Sequence, residues 1–165
     1  MTDVHLHLIL NHLPVVGFIF AIGFLAYAFL QTSADVKRVA LGFVFVTALS
    51  TIPAYYSGEG AEDVVENLSG FNEDLIEAHE ERAELALALT QITGFIALVS
   101  LLFGRASTPQ RLKTLSLVTI VAAIASAVAL GLTANTGGKI RHSEIRNGQE
   151  EPHDRIISEG RHRAD

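Results

Sequence analysis

The residues of this sequence best suited to metal chemistry are its histidines, because the chain contains no cysteine. Imidazole nitrogen binds zinc, copper, iron and haem iron. His5, His7 and His12 lie in the stretch TDVHLHLILNHLPVVG, directly before a long apolar run. His79 precedes another apolar run, and His142 follows the last one. These five histidines are the candidate metal ligands, and the missing Cys excludes covalent c-type haem attachment.

Carboxylates form a second group of candidate ligands. Residues 57–84 are strongly acidic and include Glu59 and Glu80. Imidazole and carboxylate together bind zinc, copper or non-haem iron, either in a transport entry site or in a hydrolytic centre with an open position. A di-iron centre of the four-helix type uses Glu-x-x-His, and His79 does not belong to such a motif because Ile76 stands three residues before it. We expect most of these acids to form a solvated face.

Four segments without any charged residue must position these side chains: 13–30, 39–57, 85–104 and 115–135. Roughly 20 residues of helix cross a bilayer, and each segment has about that length. The sequence therefore predicts an all-α integral membrane four-helix bundle in contact with the lipid bilayer. A cleaved signal peptide is disfavoured for the first segment, because residues 1–13 contain no Lys or Arg.

The charges between the segments predict the orientation of the bundle. Basic residues fall in the first and third connections: Lys37, Arg38, Arg105, Arg111 and Lys113. The second connection is acidic. Because basic loops stay in the cytoplasm, we expect both termini and the acidic connection to lie outside, which for a bacterial inner membrane is the periplasm. The net charge of −6 and the lack of a basic stripe argue against nucleic acid as a partner.

Domain bounds follow from the same segments. Residues 1–138 form the predicted transmembrane domain, which includes an outer helical connection at 57–84. Within that connection, residues 61–68 have the pattern of a short acidic amphipathic helix. We expect the fourth membrane helix to end at Thr136-Gly137-Gly138. Residues 139–165 then form a polar C-terminal tail.

In this topology the five candidate histidines lie at the same outer membrane face. His12 shares a helix face with Gly23. On the third membrane helix, small residues continue from His79 along one face: Ala83, Ala86, Thr90, Thr93 and Ala97. Such a face accommodates a large planar ligand, but it also lets transmembrane helices approach one another closely. The helix faces alone leave both interpretations open.

Several short motifs together resemble a family of four-helix bacterial membrane proteins described as a domain of unknown function. The motifs are His5-x-His7, His12-x-Pro14, Ser57-Gly58-Glu59, a His at the start of the third helix, and Gly137-Gly138 followed by Arg141-His142. The resemblance covers about residues 4 to 145. Some members of that family are joined to c-type cytochrome domains. The resemblance therefore implies a recurring set of histidines at one membrane face and a respiratory or redox setting, without an established activity.

Our first hypothesis is a membrane b-type haem protein with bis-histidine ligation near the periplasmic face. Two of His12, His79 and His142 would ligate the iron, whose potential is tuned by burial and hydrogen bonding. Arg141 would assist as a propionate partner, and Gly23 would make room for the macrocycle. Electrons would pass to or from a quinone, a cytochrome or a subunit of a respiratory complex.

Two further hypotheses stay open. In one, a non-haem iron, copper or zinc ion binds within a set of histidines and carboxylates: His5, His7, His12, His79, His142, Glu59 and Glu80. In the other, the bundle is a cofactor-free accessory subunit of a membrane complex, and its histidines are hydrogen-bonded to carboxylates and backbone carbonyls. The signatures G-x-S-x-G and H-E-x-x-H are absent. The sequence does not decide between an enzyme and a non-catalytic protein.

Overall fold

The computed structural model describes residues 3–65, 73–104 and 108–141, and all regular secondary structure in these ranges is α-helical. The helices are α1 (Asp3–Leu10), α2 (His12–Leu30), α3 (Ala34–Val65), α4 (Glu73–Gly104) and α5 (Pro109–Arg141). Only Asn11 separates α1 from α2. These two segments therefore act as one interrupted helix, and the described part of the chain has the four-helix arrangement that its hydropathy predicts.

The interruption between α1 and α2 has a local cause in Pro14. Proline has no N–H to donate to the carbonyl of Leu10, and its ring crowds that carbonyl, so a helix is disturbed one turn before a proline. The Asn11 N–H still donates to the carbonyl of His7, at 2.9 Å. Asn11 and His12 therefore lie where the two helical segments meet.

Four helical units are long and apolar enough to cross a membrane: Asp3–Leu30, Ala34–Glu62, Glu73–Gly104 and Pro109–Ile140. Their outward faces expose large apolar side chains, among them Phe20, Phe95 and Val121. Such a surface is stable against lipid tails rather than against water. The length and composition of the helices therefore support the prediction of a multi-pass membrane protein.

The helices pack as an up-and-down square. α2 packs against α3 and α5, α4 packs against the same two helices, and α1 packs against α3. Within the described residues, α2 and α4 do not pack against each other and occupy opposite corners. Because α1–α2 and α4 run in the same direction, both begin at the same end of the bundle. Side chains at these two starts can meet across the diagonal.

The interior of the bundle consists largely of small and hydroxyl-bearing residues. Thr90, Thr93, Ser100, Ser116, Thr119 and Ser126 are all fully buried. Most of these hydroxyls donate to a carbonyl of the preceding turn, as Thr119 Oγ1 does to Leu115 O at 2.8 Å. Thr93 and Ser126 bond each other between α4 and α5, at 2.9 Å. The middle of the small face predicted on the third membrane helix therefore serves close helix packing.

The two halves of the bundle repeat one pattern of buried positions. Counted from His7 in the first half and from His79 in the second, five buried positions coincide: Pro14, Phe18, Ala21, Leu25 and Ala28 in α2 with Ala86, Thr90, Thr93, Ala97 and Ser100 in α4. α3 and α5 also match when they are counted from Ser57 and from Thr136. Ala40, Val44 and Thr47 then correspond to Thr119, Ala123 and Ser126. The two hairpins, α1–α3 and α4–α5, therefore bury corresponding positions along their helices.

The acidic connection is only partly described. α3 continues without a break through Glu59 to Val65, so the first residues of the predicted helix at 61–68 belong to α3. Residues 66–72 lie outside the described residues, and a separate short helix there stays a prediction. α4 begins at Glu73, within the segment that the sequence assigned to this connection.

The end of α5 differs from the expected position. The helix continues through Gly137 and Gly138 and reaches Arg141, instead of ending at the glycines. Glycine at a helix end usually adopts a left-handed conformation, whereas here both residues are helical. A side chain at Gly137 would meet the imidazole of His79 at 3.0 Å. The missing side chain therefore serves a close contact between helices and does not stop the helix.

Candidate histidine site

His7 on α1 is held by the end of α3. Its Nδ1–H donates to the carbonyl of Ala54 at 3.1 Å and lies 3.3 Å from Ser57 Oγ. The Ser57 hydroxyl donates to the same carbonyl at 2.8 Å. A Cβ atom at Gly58 would lie 3.2 Å from His7 Cε1, so the absence of a side chain there lets the ring approach the backbone. The motif Ser57-Gly58 therefore holds the imidazole of His7 against the backbone of α3.

His79 on α4 is held in the same way by the end of α5. Its Nδ1–H donates to the carbonyl of Thr133 at 3.0 Å and lies 3.2 Å from Thr136 Oγ1. The Thr136 hydroxyl donates to that carbonyl at 2.8 Å. A Cβ atom at Gly137 would lie 3.0 Å from His79 Cε1. Thr136-Gly137 is therefore the counterpart of Ser57-Gly58 in the second hairpin.

The hydrogen bonds fix the same tautomer in both rings. A carbonyl oxygen only accepts, so Nδ1 carries a proton in His7 and in His79. In a neutral imidazole, Nε2 then holds the lone pair that binds a metal. An Nδ1–H donated to a backbone carbonyl is the usual outer contact of a metal-binding histidine, because it fixes the ring orientation and raises the basicity of the other nitrogen.

The two rings lie side by side across the diagonal of the bundle. Their centres are 6.5 Å apart and their planes form an angle of 85°. Two imidazoles that bind one ion from opposite sides, each with a metal–nitrogen bond of about 2 Å, place their ring centres roughly 6 Å apart. The separation of His7 and His79 is therefore close to that of a pair of ligands on a single metal centre.

The other predicted ligands do not join this pair directly. His12 is exposed, and its Nδ1 forms a hydrogen bond of 2.9 Å with the carbonyl of Leu8, four residues earlier in α1. His5 is also exposed. Glu59 is exposed and makes a side-chain hydrogen bond with Tyr55. Of these residues, only His12 shares a cavity with His79.

The remaining predicted residues lie elsewhere or outside the described chain. Gly23 lies on the outward face of α2, beside Phe20 and Tyr27, and a Cβ atom there would meet nothing within 4 Å. Glu80 is exposed. Arg141 is the last residue of α5, and His142 lies outside the described residues, so both stay predictions as ligand or partner. Among the described residues, the structure therefore does not bring Gly23 near a histidine.

A cavity of about 190 Å³ lies beside His79, at the end of the bundle where the two hairpins meet. Its lining is mostly apolar and comes from both halves, with Asn11, His12, Thr51, Ala86, Leu130 and Ala134 among its residues. Ala83 and Ala86, from the small face predicted on the third membrane helix, line this cavity. The start of that face therefore lines a cavity, whereas its middle packs against neighbouring helices.

Two polar atoms in this lining have no hydrogen-bond partner. Among the described residues, the buried side-chain atoms without a partner are Asn11 Oδ1, Arg38 Nε and Thr51 Oγ1. Two of these three belong to residues that line the cavity. An unsatisfied buried polar atom costs about 1–3 kcal/mol, so such atoms usually indicate a bound molecule or an ordered water.

Thr51 Oγ1 makes no hydrogen bond, although a carbonyl lies within its usual reach. A threonine in a helix typically bonds the carbonyl four residues earlier, which for Thr51 is Thr47 O. The Ser50 hydroxyl already donates to that carbonyl at 2.6 Å. Thr51 is only 5% exposed, so water outside the bundle does not replace the missing bond. Its hydroxyl therefore has no partner, either from the described protein groups or from water outside the bundle.

Within the described ranges, no group of three or more His, Cys, Asp or Glu side chains is arranged to hold a metal ion. No protein-family model, curated protein or solved structure matches this chain. The family resemblance of the motifs therefore stays a prediction. The fold and the site define the class of protein: a membrane four-helix bundle with a pair of imidazoles and an adjoining cavity.

Sequence reasoning named His7 as a metal ligand but not as a haem ligand, and it missed Asn11 and Thr51. The signal for His7 is that both halves of the sequence contain a histidine and a hydroxyl residue followed by glycine. His7 is seated by Ser57-Gly58 as His79 is seated by Thr136-Gly137, and the alignment of the two halves indicates that pairing. No sequence signal indicates Thr51, because a missing hydrogen-bond partner depends on side-chain contacts that only the folded bundle defines.

Proposed function

We propose that this protein is a membrane electron-transfer protein that binds one b-type haem through His7 and His79. The paired rings carry the proposal, because two imidazoles from opposite corners of the bundle lie 6.5 Å apart. Each ring is fixed through Nδ1, which leaves Nε2 as the coordinating atom. When bound, the haem supplies one-electron transfer. The resemblance to a family with cytochrome-joined members supports the same chemistry.

The donor set fits haem iron. Both ligands are imidazoles, and each has a backbone carbonyl and a hydroxyl at its second nitrogen. These contacts fix the orientation of the rings and raise the affinity of their free nitrogens for a metal. His7 and His79 lie at the end of the bundle that we assign to the periplasmic side, so an electron partner in that compartment, or a quinone in the bilayer, has a short path to them.

The free volume favours a second candidate. The cavity beside His79 measures about 190 Å³, whereas pockets for larger ligands measure roughly 300–1,000 Å³. A macrocycle therefore requires more free volume around the two imidazoles than this structure has. A single copper or zinc ion between His7 and His79 requires no such displacement, and imidazole suits both metals. We therefore carry a two-histidine metal site as the alternative.

One sample distinguishes these candidates. The protein is purified in detergent from cells supplied with a haem precursor, and we record oxidised and dithionite-reduced spectra, a pyridine haemochrome assay and metal analysis. Sharp reduced α and β bands with one haem per chain would support the haem proposal. Stoichiometric copper or zinc without a Soret band would support the metal alternative. If neither appears, the protein is best explained as a cofactor-free accessory subunit.

We further propose a bacterial inner membrane location with both termini in the periplasm. The charges of the connections support it, because Arg111 and Lys113 are exposed at the end opposite the histidines. The chain has no cysteine, so single-cysteine variants can be labelled with a membrane-impermeant maleimide in intact cells. We expect Glu73→Cys to be labelled and Ser33→Cys to be labelled only after lysis. The reverse result would invert the topology.

A further inference from the structure

The cavity beside His79 has the properties of a binding site for a small ring. It lies at the meeting point of the two hairpins, and its lining combines apolar side chains with two buried polar atoms that have no partner. The hydroxyl of Thr51 is the stronger of the two indications, because that residue is only 5% exposed whereas Asn11 is half-buried. A molecule in the cavity would complete both hydrogen-bond sets.

The volume defines the size of that molecule. A cavity of roughly 150 Å³ lined by apolar side chains holds a benzene ring, so about 190 Å³ holds a single ring with small substituents. A water has a share of roughly 30 Å³ in the liquid and needs two to four polar partners. Water alone would therefore leave most of the apolar lining, including Ala86, Leu130 and Ala134, without contacts.

The polar atoms define its chemistry. Asn11 Oδ1 only accepts hydrogen bonds, and Thr51 Oγ1 accepts as well as donates. The occupant therefore carries at least one O–H or N–H donor on a ring that is otherwise apolar. Because the cavity is lined by helices long and apolar enough to cross a membrane, a lipid-soluble ring is a suitable occupant. A hydroquinone combines these properties, since it has two hydroxyls on opposite sides of one lipid-soluble ring.

We propose that this cavity binds the ring of a hydroquinone, with one hydroxyl donating to Asn11 Oδ1 and the other to Thr51 Oγ1. This inference identifies the quinone partner of the proposed function, and only that role rests on the function; binding of the ring requires no haem. His79 lines the same cavity, so the bound ring lies beside one member of the imidazole pair.

The test is a direct binding measurement with duroquinol, a tetramethyl hydroquinone without a tail. The full chain is placed in lipid nanodiscs, and binding is measured by equilibrium dialysis under argon, with empty nanodiscs as the reference. We expect saturable binding of one duroquinol per chain. We expect Thr51→Val and Asn11→Leu each to weaken it about tenfold, because each variant removes one hydrogen bond without a large change in volume.

Two further variants complete the design. Thr119→Val is the matched control, since that hydroxyl is buried in α5 and bonds Leu115 O, away from the cavity; it should bind like the parent protein. Ala86→Leu fills the cavity and should abolish binding. Helical circular dichroism and gel filtration identify any variant that does not fold, and Thr51→Val alone decides the proposal if Ala86→Leu fails.

The outcomes separate this inference from the proposed function. Binding of duroquinol no stronger than to empty nanodiscs, or equal binding by Thr51→Val, Asn11→Leu and the parent protein, would overturn the inference. The absorption spectrum is recorded on the same sample. Specific duroquinol binding without a Soret band would support the cavity assignment while the haem proposal fails. A Soret band without duroquinol binding would support the haem and overturn the cavity assignment.

Discussion

The imidazoles of His7 and His79 meet with their centres 6.5 Å apart, although α1 and α4 do not pack against each other in the described chain. Each ring is seated on the second helix of its own hairpin, through Ala54 and Thr133. The pair therefore forms where the hairpin α1–α3 meets the hairpin α4–α5. Two ligands held by equivalent contacts suit a centre with two equivalent coordination positions.

His7→Ala and His79→Ala should each abolish the bound haem or metal, because a two-ligand site that loses one imidazole keeps too little affinity to retain its occupant through purification. His12→Ala should retain it, since that ring is exposed and bonds the carbonyl of Leu8 instead of pairing with another imidazole. The measurement is the haem or metal content per chain of the purified variants. Loss in His12→Ala with retention in His7→Ala would instead favour the ligand pair expected from the sequence.

Gly137→Ala should destabilise the protein and displace His79. The added Cβ atom would lie 3.0 Å from His79 Cε1, and overpacking of this kind costs about 1–3 kcal/mol. Gly131→Ala, also on α5, is the control because its Cβ position is open, and it should gain about 0.5–1 kcal/mol from helix propensity. Thermal unfolding in detergent compares the two. Equal melting temperatures would contradict the close seat that we describe.

Gly94 on α4 lies directly against Ala48 on α3. A Cβ atom at Gly94 would lie 2.7 Å from the Cβ of Ala48, so Gly94→Ala should cost about 1–3 kcal/mol. Ala48→Gly in the same chain should restore most of that loss, because it removes the opposing atom. Gly42→Ala on α3 is the control, since its Cβ position is open. Additive effects in the double variant, measured by thermal unfolding, would show that the two residues do not touch.

Much of the fold follows from hydropathy alone. Four uncharged segments predict four membrane helices, and the up-and-down order predicts that the first and third lie diagonally opposed. Helix ends are less predictable. Gly137 is a residue type that often ends a helix, yet α5 continues through it to Arg141. Its role depends on the ring of His79, which comes from another helix, and local sequence does not contain that contact.

The site is predictable as a region rather than as a set of contacts. Composition and topology place the histidines at one end of the bundle, which agrees with the meeting of His7 and His79. The choice between His7 and His12 depends on which way each ring turns near the interruption at Asn11. Gly23 shares a helix face with His12, yet it lies on the outward side, because the face that a helix buries depends on its neighbours.

Thr136 and Ser57 should act as positioning residues for the imidazole pair. Thr136 Oγ1 lies 3.2 Å from His79 Nδ1 and bonds the carbonyl that accepts from that ring. Thr136→Val keeps the shape of the side chain and removes the hydroxyl, and loss of such an outer contact weakens metal binding by about 10–100-fold. We expect this loss of affinity, together with a changed midpoint potential if haem is bound.

Ser57→Ala should reproduce the effect of Thr136→Val at His7, because the two hydroxyls occupy equivalent places in the repeat. Thr119→Val is the control, since it removes a buried hydroxyl from α5 far from both rings. Titration of copper or haem into the purified apoprotein gives the affinities. A loss at Thr136→Val without one at Ser57→Ala would mean that the two halves are alike in packing but unlike in chemistry, and that His79 alone holds the ligand.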